Sequence, residues 1–94
     1  MERIKLKIIT PEGIYIDDLD VDYVSVRTTA GQIAIYANHT PIVSTLIIGD
    51  MKYEREKDKK YIHLHRGIIQ VSKKQVKILT QRLYEVDERG KKIK

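Results

Sequence analysis

The sequence predicts an all-β fold, a flattened antiparallel β-sandwich of short strands, and three observations carry that prediction. Apolar and polar residues alternate with a period of two over short runs. Turn signals punctuate these runs about every eight to twelve residues. The apolar set is built from Ile, Val, Leu and Tyr, with no Phe or Trp, and β-branched residues fit a pleated, half-buried surface. Ninety-four residues make one domain, small but able to bury a core of its own.

Ile4, Leu6 and Ile8 alternate with Lys5 and Lys7 as the first strand. Pro11-Glu12-Gly13 breaks it, since Pro fixes φ and Gly admits positive φ. Ile14 and Ile16 restart the chain, and Asp17, Asp18 and Asp20 suggest an acidic turn before a strand from Val21 to Thr28. Thr29-Ala30-Gly31 is the next turn, after which Ile33 and Ile35 point one way. Pro41 closes an Asn38-His39-Thr40 corner. The run from Ile42 to Ile48 is apolar enough to be covered on both faces, and Gly49-Asp50 ends it. Met51, Tyr53 and Arg55 alternate with Lys52, Glu54 and Glu56, and a charged turn from Lys57 to Lys60 reverses the chain. Ile62 and Leu64 lie between Tyr61, His63 and His65; Ile68 to Ser72 and the Val76, Ile78 strand follow, joined by a Lys73-Lys74 turn. Residues 1–82 form the sandwich, and 83–94 are a charged tail. Tyr84 to Gly90 carries acids where the positive end of a helix dipole would favour them, so a short helix can start there.

The composition excludes several function classes. There is no cysteine, so disulfides and thiolate chemistry are out. No apolar run is long enough to cross a bilayer and no secretory leader opens the sequence, so membrane contact is expected only through partners. The net charge of +5 sits in turns and the tail, interleaved with Asp and Glu, which is the pattern of a solvated surface. His63 and His65 share a strand face, an acceptable ligand spacing, but a metal site needs further convergent ligands and none is expected. His39 beside Pro41 lacks a nucleophile or a paired acid. Asp17, Asp18 and Asp20 lack the glycine and closing Glu of a calcium loop. No glycine-rich phosphate cradle occurs. Neither a catalytic constellation nor a cofactor is expected. If residues 42–48 and Ile68, Ile69 lie on both faces of their strands, a thin sandwich cannot bury them all, and an exposed apolar patch marks an interface.

Three stretches taken in order carry a resemblance: Lys7-Ile-Ile-Thr-Pro-Glu-Gly13, Thr28 through Leu46, and Gly67-Ile-Ile-Gln-Val-Ser72 with Val76-Lys-Ile-Leu79. Together they resemble the epsilon subunit of F-type ATP synthases, over roughly residues 4 to 82. The resemblance implies a non-catalytic rotor subunit at the foot of the central stalk, on the cytoplasmic face of a bacterial cell membrane. Such a subunit docks on the gamma subunit and on the membrane c-ring, and meets alpha and beta through the assembled complex. Carried over by position, gamma-contact residues are Thr10, His39, Ile42, Val43 and Ser44, and the c-ring-contact loop is Thr29, Ala30, Gly31 and Gln32. Many relatives have Glu-Gly-Glu where this chain has Ala30-Gly31-Gln32, and Gly-Gly where it has Arg66-Gly67. Full-length relatives continue into a two-helix hairpin that in some binds ATP. Here Val86-Asp87-Glu88-Arg89-Gly90 puts Arg two positions after Asp rather than three, which on a helix would not bring both to one face, so no ATP site is expected. A second class of function, a small basic β-barrel binding single-stranded nucleic acid, would use Tyr23, Tyr36, Tyr53 and Tyr61 as stacking platforms; the spacing does not gather them on one basic face.

Overall fold

A computed structural model describes residues 2–93. Ten strands form one continuous sheet in the order β10-β7-β6-β3-β5-β8-β9-β1-β2, with β4 paired to β3. In chain order they are β1 Ile4–Thr10, β2 Gly13–Val21, β3 Tyr23–Thr28, β4 Gly31–Ile35, β5 Ile42–Leu46, β6 Gly49–Arg55, β7 Asp58–Leu64, β8 Gly67–Val71, β9 Gln75–Thr80 and β10 Leu83–Val86. The sheet folds over on itself where β3 meets β5 through the single pair Thr28↔Leu46. One layer is then β4-β3-β6-β7-β10 and the other β5-β8-β9-β1-β2.

The alternation read from the sequence sets the core. Ile4, Leu6 and Ile8 face Val76, Ile78, Ile69 and Val71 from the same layer and Val24, Val26, Met51, Ile62 and Leu64 from the other, all buried. With sixteen buried aliphatic side chains and no buried side-chain nitrogen or oxygen left without a partner among the described residues, the interior satisfies the two conditions for a stable small core.

Four local features depart from what the sequence pattern suggests. The pairing of β1 with β9 is parallel, Leu6 opposite Val76 and Ile8 opposite Ile78, whereas the other strand pairs among the described residues are antiparallel. Asp17, Asp18 and Asp20 lie inside strand β2 rather than in a turn; register shifts against β1 and the positive φ of Asp18, 51°, mark a bulge that bends the edge strand. Its acids pair with β1 cations, Lys5 Nζ to Asp20 Oδ1 at 2.8 Å and Lys7 Nζ to Asp17 Oδ1 at 3.6 Å. The β6–β7 reversal is made by Glu56 and Lys57, both at positive φ, so Lys59 and Lys60 belong to β7; two consecutive left-handed residues give the twist that matches a tight hairpin. At the C-terminal end, Leu83–Val86 is a strand on β7, with Tyr84 opposite His63, where a helix start was suggested. Pairing with the edge of β7 satisfies its backbone groups better than an isolated turn of helix can. After Val86 the chain turns back, and Lys92 bridges to Val86.

Candidate docking surfaces

The outer face of the β5-β8-β9-β1-β2 layer is where this domain leaves apolar surface uncovered. Strand register places Thr45 opposite Ile68, Ile68 opposite Leu79, Leu79 opposite Ile9 and Ile9 opposite Ile14. The result is a row crossing five strands at right angles, about 19 Å long at roughly 4.8 Å per strand step. Ile14, Ile68 and Leu79 are 54%, 46% and 37% exposed. A shallow groove of about 470 Å³ follows the row, lined by Ile9, Thr45, Ile68 and Leu79 with Arg66 and Gln81 at its rim. Val43, 72% exposed, extends the patch along β5. The run 42–48 is thus covered on one face only: Ile42 packs against the core, while Val43, Ile47 and Ile48 are open.

Gly67 fixes how closely β8 and β9 approach beneath the row. A Cβ there would lie 2.0 Å from the Leu79 carbonyl oxygen and 2.9 Å from Thr80 Cα. Opposite it, Thr80 is buried, and its Oγ1 lies 3.1 Å from the carbonyl oxygens of both His65 and Arg82. One hydroxyl thereby ties the β7–β8 and β9–β10 crossings together.

The residues carried over as gamma contacts fall on three separate parts of this layer. Val43 is outward on β5, whereas Ile42 is a core-packing residue and Ser44 is half-buried on the same side of the strand as Ile42. His39 sits in the β4–β5 loop; its backbone N–H donates to Tyr36 O at 3.2 Å and its Nδ1 to Thr40 O at 2.7 Å. Thr10 lies three strands from β5, where its Oγ1 accepts from Glu12 N at 3.2 Å and donates to Gly13 O at 3.3 Å, so it shapes the first turn.

The loop carried over as the c-ring contact is one compact hairpin tip. Thr28 Oγ1 donates to Gly31 O at 2.9 Å and accepts from Ala30 N at 3.1 Å. Gly31 holds a φ of +115° that a side chain would strain. Thr29 N donates to Thr45 O at 3.0 Å and Gln32 Nε2 to Ser25 Oγ at 3.1 Å. Thr29, Ala30, Gly31 and Gln32 are all exposed, on a tip braced against β5 at the end of the apolar row.

The row itself was visible in one signal. Ile8-Ile9, Ile68-Ile69 and Ile78-Leu79 are apolar doublets inside strands, and a period of two sends one member of each outward. On the opposite layer the tyrosines are dispersed: Tyr23 and Tyr36 pack together at 5.4 Å, Tyr84 stacks on His63 at 4.8 Å, and Tyr53 packs against the core. His63 and His65 do share a face, 5.5 Å apart, and among the described residues no three His, Asp or Glu side chains converge as metal ligands.

A two-layered β unit with one open apolar row and a rigid exposed hairpin is a module built for docking. Residues 3–86 match the model of the ATP synthase delta/epsilon chain β-sandwich domain, and the chain belongs to that family. Relatives include the ATP synthase epsilon chains of Staphylococcus saprophyticus, 33% identical over 81 residues covering 86% of this chain and 60% of that one, and of Bacillus pumilus, 34% identical over 82 residues covering 86% and 61%. The chain thus spans about 60% of the length of these relatives. The same fold occurs in a chain of the Euglena gracilis mitochondrial ATP synthase, TM-score 0.86 at 21% identity, covering 95% of this chain and 59% of that one.

Proposed function

We propose that this chain is a non-catalytic rotor subunit of a proton- or sodium-translocating F-type ATP synthase, peripheral to the cytoplasmic face of a bacterial membrane. It docks on the gamma subunit with its open layer and on the c-ring with the hairpin 29–32. Turning of the ring then reaches the catalytic alpha and beta subunits through a stalk that this domain helps to clamp. The observation that carries the proposal is the apolar row Ile14-Ile9-Leu79-Ile68 on a domain of the delta/epsilon family. The Euglena structure with this fold is described as OSCP/F1/c-ring, and a Tetrahymena thermophila structure with it as central stalk and c-ring, which supports the reading. The close-packed core suits a load-transmitting part, since dense interiors pass on a twisting force with little deformation. Within this reading Val43 and the row are the gamma-facing residues, while Thr10 and His39 hold the loops at their edges and Ile42 holds β5 on the core.

A tagged copy of the chain, expressed in its source organism, tests this directly. Pull-down from solubilised membranes recovers gamma with alpha and beta; recovery of none of the three contradicts the proposal.

A further inference from the structure

Beside the apolar row, one pleat along the strands, runs a second outward row of different character. Val43 stands opposite Gln70, Gln70 opposite Lys77 and Lys77 opposite Lys7. Lys77 lies two residues from Leu79 on β9, about 7 Å along the strand, and two strand steps from Val43, about 10 Å across the sheet. A partner that covers both Val43 and Leu79 therefore also reaches Lys77. The charges on this face are unevenly matched. Lys7 Nζ pairs with Asp17 Oδ1 at 3.6 Å and Lys5 Nζ with Asp20 Oδ1 at 2.8 Å, while Asp18 Oδ1 accepts from Gln75 Nε2 at 2.8 Å. The three acids of β2 are thus engaged within the layer. Lys77 is half-buried and forms no ion pair among the described residues, and its neighbour on β1 is another cation.

We infer that the gamma subunit presents a carboxylate to Lys77, and that this ion pair fixes the register in which gamma lies on the apolar row. The inference rests on the gamma-facing reading of this layer and adds to it the chemistry of the partner surface. In the free domain water solvates the Lys77 ammonium. Docking removes that water, and a covered ammonium without a counter-charge costs affinity. The acids of this face cannot supply the counter-charge, because each already holds a partner in its own layer. An apolar row is also non-directional. Thr45, Ile68, Leu79, Ile9 and Ile14 follow one another at equal strand spacing, so an apolar ridge on the partner could slip by one strand and still bury most of the same surface. One charge pair beside the row removes that freedom. A slip toward β5 sets the carboxylate opposite Gln70, and a slip toward β1 sets it beside Asp17, which already occupies Lys7. Either move exchanges an ion pair for an unmatched buried charge, which is how electrostatics selects one docked geometry.

Binding of the full chain to the alpha-beta-gamma assembly of its source organism, measured by titration calorimetry, tests the pair. Lys77→Met is expected to weaken binding about tenfold or more, because it leaves the partner carboxylate covered and unpaired. Lys77→Glu is expected to weaken it about a hundredfold or more, since it sets two carboxylates against each other. Lys59→Met, on the other layer, changes it less than about twofold. Thermal melts report that each variant is folded. The two accounts of Lys77 differ in sign: if no carboxylate faces it, Met removes a desolvation cost and binding holds or tightens. A loss smaller than about tenfold in Lys77→Met, or a gain, therefore overturns the inference. Carbodiimide coupling, which joins an amine to a carboxylate in contact with it and takes up the water lost, should link Lys77 to an Asp or Glu of gamma. Absence of that link in the bound complex overturns the inference as well. Failure of the unaltered chain to bind the assembly is a different result, and it removes the gamma-facing reading and this inference together.

Discussion

Replacing Ile68 and Leu79 together by Thr separates docking from folding. Both point outward and keep 46% and 37% of their exposure, so the free domain has little to lose. Thr has the β-branched shape that strands favour, and surface substitutions of this kind stay within about 0.5 kcal/mol each. Complete burial of such an aliphatic side chain contributes about 1.5–3 kcal/mol. Covering what remains exposed on docking is then worth about 1 kcal/mol at each position, and the double variant forfeits about 2 kcal/mol, or about 30-fold in affinity. Titration calorimetry against the purified gamma subunit gives the ratio, and a thermal melt of each free chain gives the control. Affinity within about threefold of the unaltered chain, with the melt unchanged, would refute the assignment of the row as the docking surface.

Gly67→Ala acts on the fold instead. A Cβ 2.0 Å from the Leu79 carbonyl oxygen meets backbone that cannot step aside, so β8 and β9 must part; the expected loss is about 3 kcal/mol or more, read as a fall in thermal midpoint of at least about 12 °C. The pKa of the Tyr15 phenol is pushed up to about 12, first by burial and then by the nearby Glu85 carboxylate. Because the fold favours the neutral phenol, its contribution to stability is intact below the ordinary tyrosine range and is lost as pH rises through about 12. Alkaline absorbance titration of the chain, which holds six tyrosines, should show a late step that Tyr15→Phe removes. Val43→Asp and Ile42→Asp, adjacent in sequence, should part company: the first leaves the melt unchanged and abolishes gamma binding, while the second lowers the melting midpoint by burying an unpaired carboxylate against the core.

The split between Ile42 and Val43 shows what was legible in the sequence and what was not. Period-two alternation named the inward residues of β1, β7 and β9 correctly, because a one-residue slip would turn the buried set out to solvent. Where both parities are apolar, as in Ile42-Val43 and Ile68-Ile69, alternation cannot say which residue faces the core. That depends on pairing partners far away in sequence. The parallel β1–β9 pair is hidden for the same reason, since the two strands lie about seventy residues apart and no local turn joins them. Asp17, Asp18 and Asp20 have turn-like composition, yet β1 supplies Lys5 and Lys7 opposite them, and pairing overrides composition. Likewise the acids of Tyr84 to Gly90 suggest a helix start, but the open edge of β7 pairs with Leu83–Val86 over four residues. The turn Thr29-Ala30-Gly31 was placed correctly, and Gly31 holds there a φ of +115° that glycine meets most cheaply.

The most direct test of the central claim is reconstitution. Purified chain is added to a synthase of the source organism assembled without its epsilon subunit, and the complex is isolated by size exclusion. The account predicts that the chain enters the complex at one copy per gamma and cross-links to it through a reactive group placed at Val43→Cys. Elution of the chain on its own, with every other subunit assembled, would contradict it.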